Sequence, residues 1–111
     1  MNDISVKGKN AIMHAIDKRD TELRELSLKI HSNPETSFQE YKAMNWLVEP
    51  LEKSGFSIER GLANLETSFR ATWEGQKGGP TIAILAEYDA LAGLGHGCGH
   101  DINGTDAVGA E

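Results

Sequence analysis

The sequence predicts an α/β fold in which helices pack on a mixed sheet. Three observations predict it. Apolar residues recur at helical spacing in the first half of the chain, alternate over short segments after Gly55, and run without interruption from Thr81 to Ala86. An uninterrupted apolar strand is typical of the middle of an α/β sheet, where both faces are covered. The central strand is therefore expected at Thr81 to Glu87.

Two helical regions are predicted in the first half. The first apolar series, Ile12 to Ile30, predicts one long helix, or two joined near Asp20. It should end at about His31, since the residue before Pro34 avoids the helical region. Ser37 and Glu40 have the spacing of a capping box, which predicts that the second helix begins there.

The second helix should be followed by shorter elements. Pro50 should kink its last turns, and Gly55 is the natural stop. Alternation at Phe56 to Ile58 and again at Phe69 to Trp73 predicts two strands. The residues after the apolar run form a glycine-rich loop, and Asp101 is expected to cap a final helix.

Composition limits the classes of function. The chain has 111 residues, 39% of them hydrophobic and 25% charged, which is typical of one globular domain. Its net charge of −6 argues against nucleic acid or an anionic membrane as a partner. No secretory signal or membrane-spanning run is visible, and a single cysteine cannot form an internal disulfide. A cytoplasmic location is therefore expected.

The strongest chemical signal is the glycine-rich stretch Leu94 to Asp101. It contains His96, Cys98 and His100, and thiolate and imidazole both bind zinc and similar divalent metals. The alternative is a glycine-rich turn with a small buried cysteine and a solvated histidine. Cys98 and His100 alone do not fill a tetrahedral site, so His96 is either a third ligand or an exposed side chain.

Two carboxylates, Glu87 and Asp89, follow the apolar run at the place where α/β enzymes keep their sites. One of them could ligate a metal while the other orients a ligating imidazole. The alternative is a solvated strand end. His31 is expected to be a capping or surface histidine. Neither a phosphate-binding Gly-Lys-Ser/Thr loop nor a Gly-x-Ser-x-Gly elbow is present in the sequence.

Four segments carry a resemblance to a known family. These are Leu23 to Glu35, Leu51 to Phe56, Ile84 to Leu91 and Gly95 to Asp101. They resemble the metal-dependent amidohydrolases of the aminoacylase/carboxypeptidase superfamily, in the branch of the hippurate, auxin-conjugate and aminobenzoyl-glutamate hydrolases. The resemblance extends over nearly everything from Ile12 to Ala110.

The resemblance implies specific roles. Cys98 and His100 would be metal ligands, and the thiolate would bridge two divalent ions, which could be zinc, manganese, cobalt or nickel. Asp89 would be the active-site aspartate that orients a ligand. Glu87 stands where other branches have a histidine ligand, so the resemblance assigns it no role. Ala92 replaces the proline usual at that position, which should loosen the turn without removing a ligand.

The resemblance also implies that residues 1–111 are the amino-terminal portion of a catalytic domain. The glutamate pair, later histidine ligands and an inserted lid domain would lie beyond Glu111. The parent would hydrolyse amide bonds of small N-acyl amino acids or dipeptide-like substrates as a homodimer, and these residues alone would be inactive.

Two other hypotheses remain open. The chain could be a stand-alone, non-catalytic metal-binding or interaction domain, or a structural α/β unit whose glycine loop only turns the chain. Metal affinity, together with amide hydrolysis by a longer polypeptide, would separate the first hypothesis from these two.

Overall fold

The computed structural model describes the backbone of residues 3–110 and the side chains of residues 6–110. The described elements are α1 (Asp3–Lys18), α2 (Asp20–His31), α3 (Tyr41–Lys53), β1 (Ser57–Arg60), β2 (Phe69–Thr72) and α4 (His100–Gly109). Short 3₁₀ turns lie at Leu62–Asn64 and His96–Cys98. The predicted α/β class is confirmed.

The first two helices meet at Arg19, close to the predicted joint at Asp20. α2 ends at His31 as predicted, and Asn33 then donates its side-chain amide to the carbonyl oxygen of Lys29 at 2.8 Å. The apolar side chain of Ile12 on α1 is exposed. The helical spacing of apolar residues there thus predicted the helix correctly, but no described element covers Ile12.

The core is built around α3, which contributes most of its buried side chains. The buried cluster consists of Leu26, Ile30, Ala43, Met44, Leu47, Val48, Leu51, Tyr88 and Val108. Ile30, Leu47 and Val48 are completely buried, and each such side chain stabilises the fold by about 1.5–3 kcal/mol relative to an exposed one. The cluster joins α2, α3 and α4.

The start of α3 differs from the predicted capping box. The helix begins at Tyr41, and its cap residue Glu40 makes no side-chain capping hydrogen bond. The free amides of the first turn are satisfied from further upstream, because the Glu35 carboxylate accepts hydrogen bonds from the N–H groups of Lys42 at 3.1 Å and Ala43 at 2.8 Å. Ser37 is thereby available for another contact.

The sheet contains two antiparallel strands among the described residues, β1 and β2, with Ser57 opposite Thr72 and Arg60 opposite Phe69. The expectation of a central buried strand at Thr81 to Glu87 was wrong for this chain. The segment forms no strand, and Ile82 and Leu85 are 82% and 86% exposed. A strand needs neighbours to satisfy its backbone, and no described segment pairs with this one.

Regular contacts resume just beyond that segment. The N–H of Glu87 donates to Asn103 Oδ1 of α4 at 2.7 Å. The N–H of Ala90 donates to the carbonyl oxygen of Glu35 at 2.7 Å, and Ala90 forms an isolated parallel bridge with Thr36. The short stretch Glu87–Ala90 is thus held between the loop before α3 and helix α4.

Across residues 3–110, every helix is too short or too polar to cross a membrane.

Replacing Glu35 with alanine should remove the cap of α3. The expected loss in the free energy of unfolding is about 1 kcal/mol, the usual value for a lost helix cap. Hydrogen exchange should show reduced protection of the Lys42 and Ala43 amides. Ser37→Ala is the matched comparison. If Glu35 is the cap, the Lys42 and Ala43 amides should keep their protection in Ser37→Ala. Loss of their protection in Ser37→Ala but not in Glu35→Ala would instead support a capping box formed by Ser37.

Candidate metal centre

A tight turn carries the chain from the anchored stretch Glu87–Ala90 to the start of α4. Leu91 and Gly95 exchange two backbone hydrogen bonds of 2.9 Å, which closes the turn. Gly99 has a φ of +82°, a left-handed conformation that side-chain-bearing residues rarely adopt, immediately before His100. The glycines therefore allow the chain to fold back so that the first residue of α4 faces Asp89.

His100 lies between the two carboxylates that the sequence singled out. Its Nδ1 is 2.8 Å from Asp89 Oδ1 and 3.1 Å from the carbonyl oxygen of Asp89. Both oxygens only accept, so Nδ1 carries the proton and donates. On the other side of the ring, Nε2 is 3.0 Å from Glu87 Oε2. A carboxylate on Nδ1 is the usual device that orients a metal-ligating histidine.

Asp89 is itself held in place by a residue for which the sequence predicted a different role. Ser37 Oγ donates to Asp89 Oδ2 at 2.8 Å, so each carboxylate oxygen has its own donor. The hydrogen bond from Ser37 lowers the pKa of Asp89 most; partial burial opposes this, and the bond from His100 adds to it, so the net shift is downward. The sequence around Ser37 has the pattern of a capping box, so sequence analysis assigned Ser37 to a helix cap and did not predict its contact with Asp89.

Partial burial lowers the pKa of His100, but the hydrogen bond to Asp89 and the charges of Asp89 and Glu87 outweigh it, so its pKa is raised. The folded state therefore favours a protonated His100 facing an ionised Asp89. This pair stabilises the fold between the lowered pKa of Asp89 and the raised pKa of His100. Its contribution is lost as the pH falls through the first value or rises through the second.

Cys98 lies at the exposed surface of the same turn. Its Sγ is 3.7 Å from the carbonyl oxygen of Asp89, the atom that also accepts from His100 Nδ1. The thiol and the imidazole therefore converge on one backbone atom. In the part of the chain that is described, however, no three histidine, cysteine, aspartate or glutamate side chains form a group ready to hold a metal ion. The donor types fit a zinc-like ion, but the arrangement is not a closed cage.

Of the two alternatives for His96, a third ligand or an exposed side chain, the structure contradicts only the second. It is buried, with 6% of its surface exposed, and neither ring nitrogen has a hydrogen-bond partner among the described residues. Burial lowers the pKa of His96, which favours its neutral form. Its ring lies 6.1 Å from that of His31. The expectation of an exposed His96 was wrong, and a role as third ligand stays a prediction.

A buried carboxylate, Asp101, joins α4 to α2. Its Oδ2 lies 3.3 Å from His31 Nδ1 and accepts a 3.4 Å hydrogen bond from Ser27 Oγ. It occupies the first turn of α4, where a negative charge is favoured by the helix dipole, rather than the predicted capping position. His31, which was expected to be a capping or surface histidine, thus helps to hold Asp101, the residue that follows His100.

Comparison with known proteins identifies the relationship. The chain is 37% identical to a p-aminobenzoyl-glutamate hydrolase of Escherichia coli (strain K12), over 86% of this chain and 23% of that protein. It is 37% identical to thermostable carboxypeptidase 2 of Saccharolobus solfataricus, over 66% of this chain and 22% of that protein. It is 32% identical to N-acyl-L-amino acid amidohydrolase of Geobacillus stearothermophilus, over 84% and 28%. No family model matches the chain.

These relatives are hydrolases by name. The chain belongs to the amidohydrolase/carboxypeptidase superfamily that they represent, which confirms the resemblance found in the sequence. The chain spans about a quarter of the length of the curated relatives it matches.

The variant Asp89→Asn should lower the pKa of His100, because it removes the negative charge and weakens the acceptor on Nδ1. An NMR titration of the imidazole protons measures this shift directly. Asp106→Asn, on an exposed position of α4, removes the same charge away from the ring and should leave the His100 titration in place. Identical His100 curves in the wild type and in Asp89→Asn would contradict the described contact.

Proposed function

We propose that this chain contributes the metal ligands Cys98 and His100 to an enzyme that hydrolyses amide bonds in N-acyl amino acids or dipeptide-like substrates. One observation carries the proposal: Asp89 engages His100 through Nδ1, the contact that usually orients a metal-ligating histidine, and the opposite nitrogen, Nε2, faces Glu87 Oε2 at 3.0 Å. The names of the relatives, an aminobenzoyl-glutamate hydrolase, a carboxypeptidase and an N-acyl amino acid amidohydrolase, supply the reaction class.

The roles of the chain's own residues follow from these contacts. Asp89 would hold the proton on Nδ1, so that His100, once deprotonated to bind an ion, would present its lone pair on Nε2, while Ser37 holds the second oxygen of the Asp89 carboxylate. Cys98 supplies a thiol from the same turn. Divalent ions bound at such a site, two in the proposed parent, acidify a water molecule and polarise the scissile carbonyl.

A groove of about 250 Å³ adjoins these residues and offers a place for a substrate. Glu40, Glu87 and Asp89 are among its lining residues, and Phe38 and Tyr88 provide apolar surface. Tyr88 is fixed there by a hydrogen bond from its hydroxyl to the carbonyl oxygen of Thr67. A groove with both apolar and polar lining suits a small substrate that has an acyl group and a polar amide.

The active parent is a cytoplasmic homodimer, in which residues 1–111 form the amino-terminal portion of the catalytic domain. These residues alone bind metal weakly and turn over no substrate, because two ligands leave an ion largely to solvent. The alternative, a stand-alone metal-binding or interaction domain, shares the metal site but lacks hydrolysis.

Titration of the 111-residue chain with Co²⁺ should produce a thiolate-to-cobalt charge-transfer band in the near ultraviolet. Cys98→Ser should abolish the band, and His100→Ala should lower the affinity by more than about 100-fold, beyond the 10–100-fold typical of losing an outer partner. His14→Ala, on the exposed face of α1, is the control and should bind as the wild type does. A wild-type chain without the band would overturn the proposed ligands.

Hydrolysis is tested with a longer polypeptide, in which this chain continues to the length of its relatives. We expect release of free amino acids from a panel of N-acyl amino acids and dipeptides, and loss of turnover in the Cys98→Ser and His100→Ala variants. Metal binding without turnover of any substrate in the panel would favour the stand-alone binding domain. Turnover that survives both substitutions would refute the proposed site.

A further inference from the structure

We infer that two copies of this chain associate through residues 81–86 (the apolar segment), which pair with each other as antiparallel strands. The exposure of this segment, its unpaired backbone and the charges at its two ends carry the inference. It is independent of the proposed hydrolysis, because Cys98, His100 and Asp89 take no part in it.

The apolar segment offers both side chains and backbone to a partner. Ile82 and Ile84, which share one face of an extended chain, are 82% and 56% exposed, and Leu85 on the other face is 86% exposed. Within the described part of the chain, no hydrogen bond involves the backbone of residues 81–86. Free N–H and C=O groups beside large apolar side chains form a template for pairing with another chain.

The composition of the apolar segment also favours pairing. Its six residues include two isoleucines and a threonine, which are β-branched and favour strands, and none of the six is charged or is a glycine or proline. Natural edge strands usually carry a charge or a proline that blocks association. Here such residues lie only outside the segment, with Pro80 before it and Glu87 after it.

The surroundings of the apolar segment leave it accessible. Beyond it, the chain is anchored to α4 by the 2.7 Å hydrogen bond from the N–H of Glu87 to Asn103 Oδ1, so the segment starts from a fixed point of the surface. Before it, residues 72–80 are exposed throughout. A second chain can therefore approach the segment without displacing a packed helix or strand.

The charges at the two ends favour an antiparallel arrangement. Lys77 precedes the apolar segment and Glu87 follows it, and both side chains are exposed. Parallel pairing in register would place each of them beside the same residue of the partner, and like charges opposite each other destabilise a sheet. Antiparallel pairing instead brings Lys77 toward the end of the partner's segment where the partner's Glu87 lies.

The apolar pattern selects one antiparallel register. With the two-fold axis at Ala83, Ile82 lies opposite the partner's Ile84 and Ile84 opposite the partner's Ile82. The four isoleucines then share one face as two cross-strand pairs. A shift by one residue would divide the isoleucines between the two faces, so the register centred on Ala83 is favoured.

The size of the contact predicts a weak dimer. Six extended residues expose roughly 900 Å² in total, and pairing along one edge covers only part of that area. Stable complexes bury about 800 Å² on each partner. The dissociation constant is therefore expected in the range of about 1–100 μM.

Sedimentation velocity of the 111-residue chain, at concentrations that bracket this range, should show a reversible monomer–dimer equilibrium. Ile84→Lys should weaken the dimer by at least about 10-fold, because two isoleucine pairs are lost and two charges enter the contact. Ile12→Lys is the matched control, since Ile12 is also exposed, at 63%, but lies on α1, and it should dimerise as the wild type does. Unchanged far-ultraviolet circular dichroism shows that both variants fold.

Disulfide cross-linking reports the register. Because Cys98 is the only cysteine, Ala83→Cys in a Cys98→Ser background leaves a single thiol in each copy. The axis at position 83 places the two new thiols opposite each other, with Cβ atoms about 4.5–5.5 Å apart, close enough to form a disulfide. Leu85→Cys in the same background would face the partner's Thr81. Mild oxidation should therefore link the Ala83→Cys copies much faster than the Leu85→Cys copies.

Each other outcome overturns the inference. A monomer at every concentration does so, as does a dimer that Ile84→Lys leaves unchanged or that Ile12→Lys weakens equally. Equal cross-linking rates at positions 83 and 85 exclude the antiparallel pairing centred on Ala83. Hydrogen-exchange protection of residues 81–86 in a monomer would show that the segment pairs within its own chain, with β2 as the strand whose edge is open among the described residues.

Discussion

The hydrogen bond between His100 Nδ1 and Asp89 is the contact on which the candidate site depends. It closes the glycine-rich turn, since Asp89 precedes the turn and His100 follows it. It also determines which ring nitrogen remains for a ligand. Ser37 holds the second carboxylate oxygen, so the orientation of the imidazole is set by a chain of three side chains that begins in the loop before α3.

Packing far from the turn keeps that chain of contacts aligned. Glu35 serves two neighbouring functions: its carboxylate caps α3, and its carbonyl oxygen accepts from Ala90 just after Asp89. On the other side, Asp101 ties the first turn of α4 to α2 through His31. The contacts of Glu35 and of Asp101 therefore tie the site to helices α3 and α2, although the site itself contains little regular structure.

Local patterns in the sequence predicted what local physics determines. The ends of α2, the two short strands and the final helix follow from periodicity and from proline and glycine positions, and they are confirmed. Contacts between distant residues were not predictable in this way. Ser37 has a capping pattern but bonds to Asp89, 52 positions away. The run from Thr81 to Ala86 has the composition of a buried strand, but burial depends on neighbouring strands that no described segment supplies. The roles of Cys98, His100 and Asp89 stay predictions.

X-ray absorption spectroscopy of the cobalt-loaded chain tests the central claim most directly, because it reports the atoms bonded to the ion. The account predicts one sulfur neighbour at about 2.3 Å together with nitrogen and oxygen neighbours at about 2.0–2.2 Å, including the outer-shell scattering of an imidazole ring. A shell made only of oxygen neighbours, with neither sulfur nor imidazole, would contradict it.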